Sequence, residues 1–307
     1  MTTAVVFAYH NVGVRCLRVL LARGVHVPLV VTHRDNPNEN IWFGSVSEVA
    51  AERQIPCIAP DDPNTQDFVQ QIAASRPDFL FSFYYRMLLK APLLAIPKLG
   101  ALNVHGSLLP MYRGRVPVNW AIIHGETETG ATLHYMTEKP DNGDIVGQTS
   151  IPILPDDNAG EVFDKVTVAA ELTLYHALPA LIAGTAPRVR QDLRQGTYFG
   201  GRKPEDGRIV WSLDATRIHN LVRAVAPPYP GAYSELGGQR LAVHRTRVVN
   251  AKARQVASPR LCAANGRLYA ECGAGTLEIL ACTLDGMPFS AALFEQRFGA
   301  DTRLPPY

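Results

Sequence analysis

The sequence lacks the features that mark secreted, membrane-spanning and zinc-binding proteins. It has five cysteines in 307 residues, spaced at least ten residues apart. Neither the CxxC pairs of zinc sites nor a dense disulfide framework is therefore present. No apolar run approaches the roughly 20 residues that cross a bilayer, and the amino terminus has no basic segment followed by an apolar one. We expect a cytoplasmic protein without membrane insertion and without a metal.

The chain also has little excess of either charge. Thirty Lys and Arg residues against 28 Asp and Glu residues give a formal net charge of +2. Such a balance creates no strong field for collecting polyanions, so a nucleic-acid partner is not expected. The Gly-x-Gly-x-x-Gly fingerprint and the phosphate-cradling P-loop are both missing, which argues against a dinucleotide oxidoreductase or a nucleotide kinase.

What is present is the composition of a globular protein, with 47% apolar and 19% charged residues. In the first half of the chain, apolar strand-like runs such as Ala4–Ala8, Phe79–Phe83 and Ala101–Val104 alternate with helical patterns. A loop at Tyr9–Gly13 and a helix at Val14–Arg23 follow the first strand. This alternation predicts an α/β fold with a Rossmann-like parallel sheet covered by helices on both faces.

The length allows roughly two domains at about 150 residues each. We predict a catalytic domain over residues 1–185 and a linker over 186–206, where Gly, Pro and charges occur without periodicity. Residues 207–307 contain one helix, Ala215–Ala224, and several short alternating runs. These runs predict a smaller carboxyl-terminal β-barrel that resembles an OB fold.

The densest group of unusual residues runs from Asn103 to Trp120, where a predicted strand ends. Asn103 and His105 are two residues apart on an extended segment, so their side chains project to the same face. A second polar group, Asp141-Asn142-Gly143-Asp144, occupies a turn between two later strands. A carboxylate from this turn placed beside His105 would orient the imidazole and favour its charged form.

An amide, an imidazole and a carboxylate without a Ser or Cys nucleophile in the motif point to acyl transfer onto an external nucleophile rather than to a covalent acyl-enzyme. Ser107 is the alternative nucleophile. It lacks the Gly-x-Ser-x-Gly elbow, and a serine after glycine more often bonds its own backbone. Asp141 could instead serve only as a turn residue, because Asp and Asn stabilise turns through their own backbone bonds. His134 and the other isolated histidines have no metal-ligand spacing and favour structural or solvated roles.

Taken together, these motifs resemble the folate-dependent formyltransferases. The resemblance covers nearly the whole chain and includes Asn103–Trp120, the Asp141–Gly143 turn and Trp211. In the second domain, Ile218–Ala224 and Pro230–Ala232 are similar to the carboxyl-terminal domain that methionyl-tRNA formyltransferase shares with its relatives. The resemblance implies an enzyme that transfers a one-carbon formyl group from 10-formyltetrahydrofolate to an amine.

Three segments separate the members of this family from one another. Phe7–His10, Thr32–Pro37 and Phe81–Arg86 resemble the formyltransferase domain of the bifunctional enzyme that formylates UDP-4-amino-4-deoxy-L-arabinose. That enzyme acts in lipopolysaccharide biosynthesis, where modification of lipid A gives resistance to the antibiotic polymyxin. The resemblance therefore implies that the acceptor is a nucleotide-linked amino sugar.

The family pattern also implies roles for individual residues. Asn103, His105 and Asp141 form the implied catalytic set: Asn103 donates to the oxyanion of a tetrahedral intermediate, and Asp141 holds His105. His105 would either donate to the same oxyanion or relay the proton of the amine. Because the amine must be deprotonated to attack, activity should fall on the acid side of neutrality. The co-substrate contacts implied by the same pattern are Met87, Leu88, Leu89, Arg115, Thr137, Glu138, Lys139, Pro140 and Asp141.

Three alternatives remain at this stage. Formylation of methionyl-tRNA would require clustered cations, yet the segment Arg34–Asn40 has one Arg against two acids. The second domain does carry Arg240, Arg245, Arg247, Lys252 and Arg254, which we interpret as a mostly solvated face. A different UDP- or dTDP-linked 4-amino sugar is the second alternative, and a binding module without catalysis is the third. The sequence does not indicate the oligomeric state.

Overall fold

The computed structural model describes residues 1–251, 256 and 258–305. Lys252 and Arg254 of the predicted basic face lie outside this described part. The chain divides into two compact units. The first comprises Met1–Pro117, Glu128–Pro152 and Phe163–Gly200, and the second comprises Val118–Thr127, Ile153–Val162 and Gly201–Tyr307. No helix within the described residues is both long enough and apolar enough to cross a membrane.

Strands and helices alternate along the amino-terminal part of the chain. In chain order, the elements up to residue 199 are β1 (Thr3–Ala8), α1 (His10–Ala22), β2 (His26–Val31), α2 (Val46–Glu52), β3 (Cys57–Ile58), α3 (Gln66–Ala74), β4 (Phe79–Phe83), α4 (Ala91–Leu94), β5 (Gly100–His105), β6 (Arg113–Gly114), α5 (Pro117–Ile123), β7 (Glu128–Tyr135), β8 (Ile145–Pro152), α6 (Ala159–Ile182) and β9 (Tyr198–Phe199).

The main sheet of the first unit has seven strands in the order β3-β2-β1-β4-β5-β7-β8. Neighbours from β3 through β5 pair in parallel, which confirms the Rossmann-like fold. All five residues of β4 are buried, as expected for a parallel strand covered on both faces. The last two strands differ from the expected parallel arrangement, because β7 and β8 pair antiparallel. In this register Tyr135, the last residue of β7, lies opposite Leu102 in the first half of β5, and the turn that follows places Asp141 beside His105.

Helix α1 begins earlier than the sequence predicts, at His10 rather than Val14. The predicted loop at residues 9–13 is wrong from His10 onward: the Gly13 backbone N–H donates to the Tyr9 carbonyl, 3.2 Å away, within the first helical turn. A Cβ at residue 13 would lie 3.0 Å from Val46 Cγ2 and 3.1 Å from Ala8 Cβ. Gly13 therefore permits close packing of the first helical turn instead of ending the helix.

The second unit contains an antiparallel sheet that forms a half-barrel, in agreement with the expected smaller β-domain. Its elements from residue 204 onward are a 3-10 turn (Pro204–Gly207), α7 (Ala215–Ala224), β10 (Ala232–Leu236), β11 (Gln239–Asn250), β12 (Arg260–Ala264), β13 (Arg267–Glu271), β14 (Thr276–Leu284), β15 (Met287–Pro288), α8 (Ala291–Phe298) and β16 (Asp301–Arg303). The sheet order is β10-β11-β14-β13-β12-β16, with β15 beside β14, so the expected small barrel is a half-barrel. Trp211 is fully buried in its core and donates from Nε1 to Ser234 Oγ at 2.8 Å.

Helix α7 ties two earlier segments of the chain into the second unit. Asn119 Nδ2 donates to the Ala224 carbonyl at 2.7 Å, and His219 Nε2 donates to the Pro155 carbonyl at 3.0 Å. The buried Arg223 guanidinium donates to the Asp157 carbonyl at 3.0 Å. Buried polar side chains of this kind are stable only when they are hydrogen-bonded, which they are here.

Candidate active site

The polar residues at the end of β5 meet side chains from β7 across the antiparallel pair. Asn103 is directly opposite His134, and His105 is opposite Thr132. Asn103 Nδ2 donates to His134 Nε2 at 3.2 Å, while His134 Nδ1 donates to the Tyr135 carbonyl at 2.8 Å. His134 is buried with 1% exposure. In the sequence His134 is an isolated histidine, because its partner Asn103 is 31 residues away and the pairing depends on the strand register.

The imidazole of His105 is enclosed and held at both nitrogens. Nε2 lies 2.8 Å from the Tyr112 carbonyl, and Nδ1 lies 3.5 Å from Asp141 Oδ1. A carbonyl oxygen only accepts, so Nε2 carries a proton in this arrangement. Nδ1 faces the Asp141 carboxylate.

Asp141 is the centre of this cluster. Its Oδ1 lies 3.5 Å from His105 and 3.6 Å from His134 Nε2, and its Oδ2 accepts from the Gly114 backbone N–H at 2.9 Å. Burial raises the pKa of the Asp141 carboxyl group. The charge of His105, the contact with His134 and the Gly114 N–H outweigh burial and hold that pKa well below its usual range. Asp141 is therefore a buried, ionised carboxylate near neutral pH.

The turn that carries Asp141 has a backbone conformation that few residues adopt without strain. Asp141 has φ +58°, in the left-handed region, and a Cβ at residue 143 would lie 1.9 Å from the Tyr135 carbonyl oxygen. Gln191 holds this turn from a distance, because its Nε2 donates to the carbonyls of Asp141 at 2.9 Å and Gly143 at 2.6 Å. Strained backbone that is held in place by its surroundings is frequent at functional sites. No sequence pattern links residue 191 to this turn.

The segment after His105 folds against β7 and is tied down by its own backbone. Ser107 is fully buried, and its Oγ donates to the Met111 carbonyl at 2.6 Å. This bond matches the backbone-bonding role that the sequence analysis favoured over a nucleophilic serine. Thr132 Oγ1 donates to the Ser107 carbonyl at 2.6 Å and accepts from the Leu109 N–H at 3.1 Å. The Leu109-Pro110 peptide bond is cis.

The residues implied to contact the co-substrate lie on three separate stretches of the first unit. Met87 and Leu88 are 36% and 68% exposed, whereas the Leu89 side chain is buried in the core with Leu93. Leu89 is therefore restricted to backbone contacts with any ligand. Asn64 fixes this segment, since its amide donates to the Leu88 carbonyl at 3.0 Å and accepts from the Lys90 N–H at 2.8 Å.

The other two stretches are solvent-accessible. Arg115 is exposed, and its backbone N–H donates to the Phe199 carbonyl at 3.0 Å. Thr137, Glu138 and Lys139 are exposed, and the Thr137 hydroxyl donates to the Lys139 carbonyl at 2.8 Å. Exposed apolar side chains and carbonyl-rich loops suit a flat heterocycle with a hydrogen-bonding edge. No group of His, Cys, Asp and Glu within the described residues could hold a metal ion.

A second polar network lies at the carboxyl ends of β1, β2 and β4. The Tyr9 hydroxyl donates to Asp35 Oδ1 at 2.7 Å, and Arg86 donates to both carboxylate oxygens of Glu39 at 2.8 and 2.9 Å. His33 stacks on Tyr85 at 4.1 Å between ring centroids, and its Nε2 accepts from the Arg86 N–H at 2.9 Å. Burial, together with Asp35, raises the pKa of Tyr9 to about 12, so Tyr9 is a neutral donor.

Comparisons with known proteins identify the family of this chain. The family model for formyl transferase matches residues 15–178, and the model for the formyl transferase carboxyl-terminal domain matches residues 202–296. A formyltransferase from Helicobacter canadensis, solved with folinic acid and dTDP-3-aminofucose, is 17% identical with a TM-score of 0.69; the match covers 94% of this chain and 100% of that one.

Two further structures share the fold. WlaRD, a sugar 3N-formyl transferase solved with dTDP and 5-N-formyl-THF, is 17% identical with a TM-score of 0.70; the match covers 93% of this chain and 98% of that one. HypX from Aquifex aeolicus, solved with tetrahydrofolic acid, is 18% identical with a TM-score of 0.62, covering 97% of this chain and 48% of that one. With both family models matched over most of its length, the chain belongs to the formyltransferase family.

Proposed function

We propose that this protein transfers a formyl group from 10-formyltetrahydrofolate to the amine of a nucleotide-linked amino sugar. The observation that carries this proposal is the approach of His105 Nδ1 and Asp141 Oδ1 to 3.5 Å, beside Asn103 at the end of the same strand. The formyltransferase family supplies the reaction class, and the solved relatives with folates and dTDP-sugars support the choice of co-substrate and acceptor.

The reaction balances without another reactant. A C–N bond forms between the formyl carbon and the amine of the acceptor, the bond from that carbon to N10 of the folate breaks, and the proton lost by the amine replaces the formyl group on N10. The bound folate supplies an activated formyl group. The chain must therefore position the two substrates, stabilise negative charge on the formyl oxygen and move one proton.

Asn103 and His105 are the groups that meet these requirements. The Asn103 amide is a neutral donor. Because His105 Nδ1 faces Asp141, His105 would act through Nε2, which must exchange its hydrogen bond to the Tyr112 carbonyl for one to the substrate. Donors aimed at a developing oxyanion are worth about 3 to 4 kcal/mol each in comparable acyl-transfer sites. Asp141 faces His105 Nδ1 and fixes the orientation of the ring.

The segments Met87–Leu89, Arg115 and Thr137–Asp141 would hold the folate. Exposed apolar side chains at Met87 and Leu88 suit the face of the pterin, and the backbone of Thr137–Asp141 offers hydrogen bonds to its edge. The Arg115 guanidinium is suited to carbonyl or carboxylate groups. The turn residue Asp141 thus links the folate-binding loop with His105.

For the acceptor itself, we propose UDP-4-amino-4-deoxy-L-arabinose, the sugar nucleotide formylated during polymyxin resistance. The resemblance at Phe7–His10, Thr32–Pro37 and Phe81–Arg86 supports this choice. In the structure, these three segments meet in the network around Asp35 and Arg86. Residues of the segments that differ within the family therefore lie together, as expected for a region that selects the acceptor.

The experiment offers purified protein 10-formyltetrahydrofolate with one acceptor at a time. The acceptors are UDP-4-amino-4-deoxy-L-arabinose, dTDP-linked 3-amino and 4-amino sugars, and methionyl-tRNA, and mass spectrometry follows the gain of one formyl group. We expect the highest kcat/KM with the UDP-arabinose derivative. A higher kcat/KM with a dTDP-sugar would overturn the choice of sugar, and formylation of methionyl-tRNA alone would overturn the proposed acceptor class.

A further inference from the structure

Residues 188–199, which we call the strap, follow α6 and are bonded to the segments that carry the proposed chemistry. Near its start, Val189 exchanges two backbone hydrogen bonds of 2.8 and 2.9 Å with Ile145, the first residue of β8. In its middle, Gln191 donates to the turn that carries Asp141. At its end, β9 pairs in parallel with β6. The strap is therefore tied to an edge strand, to the Asp141 turn and to β6.

The strap lies backbone to backbone against the segment that precedes and includes β6. A Cβ at Gly196 would lie 2.3 Å from the Pro110 carbonyl oxygen, and a Cβ at Gly114 would lie 2.2 Å from the Phe199 carbonyl oxygen. Only glycine permits approaches this close. The ring of Phe199 also stacks on the ring of Tyr112, with centroids 5.5 Å apart. A displacement of the strap therefore displaces this segment as well.

Thr197 of the strap holds two consecutive backbone N–H groups. The Tyr112 N–H donates to Thr197 Oγ1 at 2.8 Å, and the Arg113 N–H donates to the Thr197 carbonyl at 3.0 Å. Tyr112 has φ +56°, in the left-handed region that a residue with a large side chain seldom adopts. Such a conformation persists only where its surroundings hold it, and Thr197 supplies both bonds.

The peptide unit between Tyr112 and Arg113 connects Thr197 with His105. One end of this unit is the Arg113 N–H, which Thr197 accepts, and the other end is the Tyr112 carbonyl, which accepts from His105 Nε2 at 2.8 Å. Ser107 Oγ lies 3.4 Å from the same carbonyl oxygen. Because a peptide unit is planar, a bond that fixes its N–H also fixes the direction of its carbonyl.

We propose that Thr197 is a positioning residue for His105. It holds the Tyr112 carbonyl in the place where that oxygen keeps the ring proton on Nε2, and Gln191 holds Asp141 on the side of Nδ1. One strap thus sets both acceptors that flank the imidazole. The proposal rests on the proposed function for its effect on catalysis: His105 begins each turnover with its proton on the nitrogen that must face the substrate.

The ring nitrogens of His105 give a readout that does not depend on turnover. In protein with ¹⁵N-labelled histidine, NMR distinguishes protonated from unprotonated ring nitrogens, and His105→Ala identifies the signals of this ring. In alkaline buffer, where imidazole is neutral, we expect the proton on Nε2 in the parent. Thr197→Val removes the oxygen that holds the Tyr112 N–H, so part of the proton population should move to Nδ1, which faces Asp141. Thr197→Ser keeps a hydroxyl and should restore the parental signals.

Steady-state kinetics give a second measurement of the same role. We expect Thr197→Val to lower kcat at least about tenfold, because a misplaced reacting group costs rate more than binding. Its KM for 10-formyltetrahydrofolate should stay within about twofold of the parental value, since the backbone bond from Arg115 to Phe199 does not involve the altered side chain. Thr197→Ser should recover most of kcat.

Thr149→Val is the matched control for the loss of a hydroxyl. Thr149 is a half-buried residue of β8, and its Oγ1 also accepts one hydrogen bond, from Thr173 at 2.7 Å. This variant should keep the parental kcat and the parental His105 signals. Thermal unfolding checks that each variant is folded. Thr197→Ala removes the same oxygen without adding a methyl group and gives the same comparison if Thr197→Val does not fold.

The outcomes separate this proposal from the proposed function. Unchanged His105 signals in a folded Thr197→Val protein would overturn the positioning role, even if the parent formylates an amino-sugar nucleotide. An equal loss of kcat in Thr149→Val would also overturn it. Conversely, movement of the proton away from Nε2 in Thr197→Val, with its return in Thr197→Ser, would support the positioning role even if every amino-sugar nucleotide failed as an acceptor.

Discussion

The carboxylate of Asp141 and the imidazole of His105, which come from a turn and from a strand end, approach to 3.5 Å between Oδ1 and Nδ1. Replacing the carboxylate by an amide removes the negative charge beside the His105 ring and leaves the shape of the side chain nearly unchanged. We expect Asp141→Asn and His105→Ala each to lower turnover at least about a hundredfold, with the fold preserved.

Steady-state formylation assays and circular dichroism check this expectation together. Asp144→Asn is the matched control, because it alters the other carboxylate of the same turn and should keep nearly parental turnover. A folded His105→Ala protein with the parental rate would contradict the assigned roles.

The depressed pKa of Asp141 links its ionisation to stability. Its pKa in the folded protein lies below the unfolded value of about 3.9, so the stabilisation is present above that value and is lost as the pH falls through the folded pKa. We expect the gap in unfolding free energy between the parent and Asp141→Asn to be constant near neutrality and to shrink below pH about 4. Urea unfolding across this pH range measures the difference in unfolding free energy between the two proteins. A difference that grows toward acid pH would contradict a lowered pKa of Asp141.

Gln191 acts on the site as a positioning residue for the turn. Gln191→Leu leaves the carbonyls of Asp141 and Gly143 without their donor, and each unpaired buried carbonyl costs about 1 to 3 kcal/mol. We therefore expect a loss of at least about 2 kcal/mol in unfolding free energy, together with a lower kcat. Denaturant titration and kinetics measure both effects. Gln195→Leu, at an exposed glutamine four positions along, should change neither, and a fully active Gln191→Leu protein would rule out the positioning role.

Only glycine fits at position 106 without displacing the ring of Tyr84. A Cβ at residue 106 would lie 2.2 Å from the Tyr84 hydroxyl oxygen and 3.3 Å from the ring carbon that bears it. We expect Gly106→Ala to displace Tyr84 and lower kcat/KM at least about tenfold, because the change adjoins His105. Tyr84→Phe removes the oxygen that clashes, so the double variant should recover part of the loss.

The four proteins of this double-mutant cycle are compared by kcat/KM and thermal unfolding. Additive effects of the two substitutions would show that the contact between Tyr84 and residue 106 does not cause the loss of kcat/KM in Gly106→Ala.

Local patterns in the sequence determine much of what the structure shows. The buried run at Phe79–Phe83 gave the limits of β4, and the spacing of Asn103 and His105 placed both at the end of β5. The reversal of β7 and β8 was missed because strand direction depends on pairing, which is a long-range property. For the same reason, no local sequence pattern predicts the pairing of His134 with Asn103 or the hydrogen bonds from Gln191 to the turn.

The order of strands in the main sheet separates the loop after β2 from the turn that carries Asp141. β1 and β4 stand between the loop after β2 and the turn that carries Asp141, so residues 33–47 share no strand with His105. Under the proposed function, exchanging this loop for that of another sugar-modifying relative should change which acceptor is used without altering the contact between His105 and Asp141.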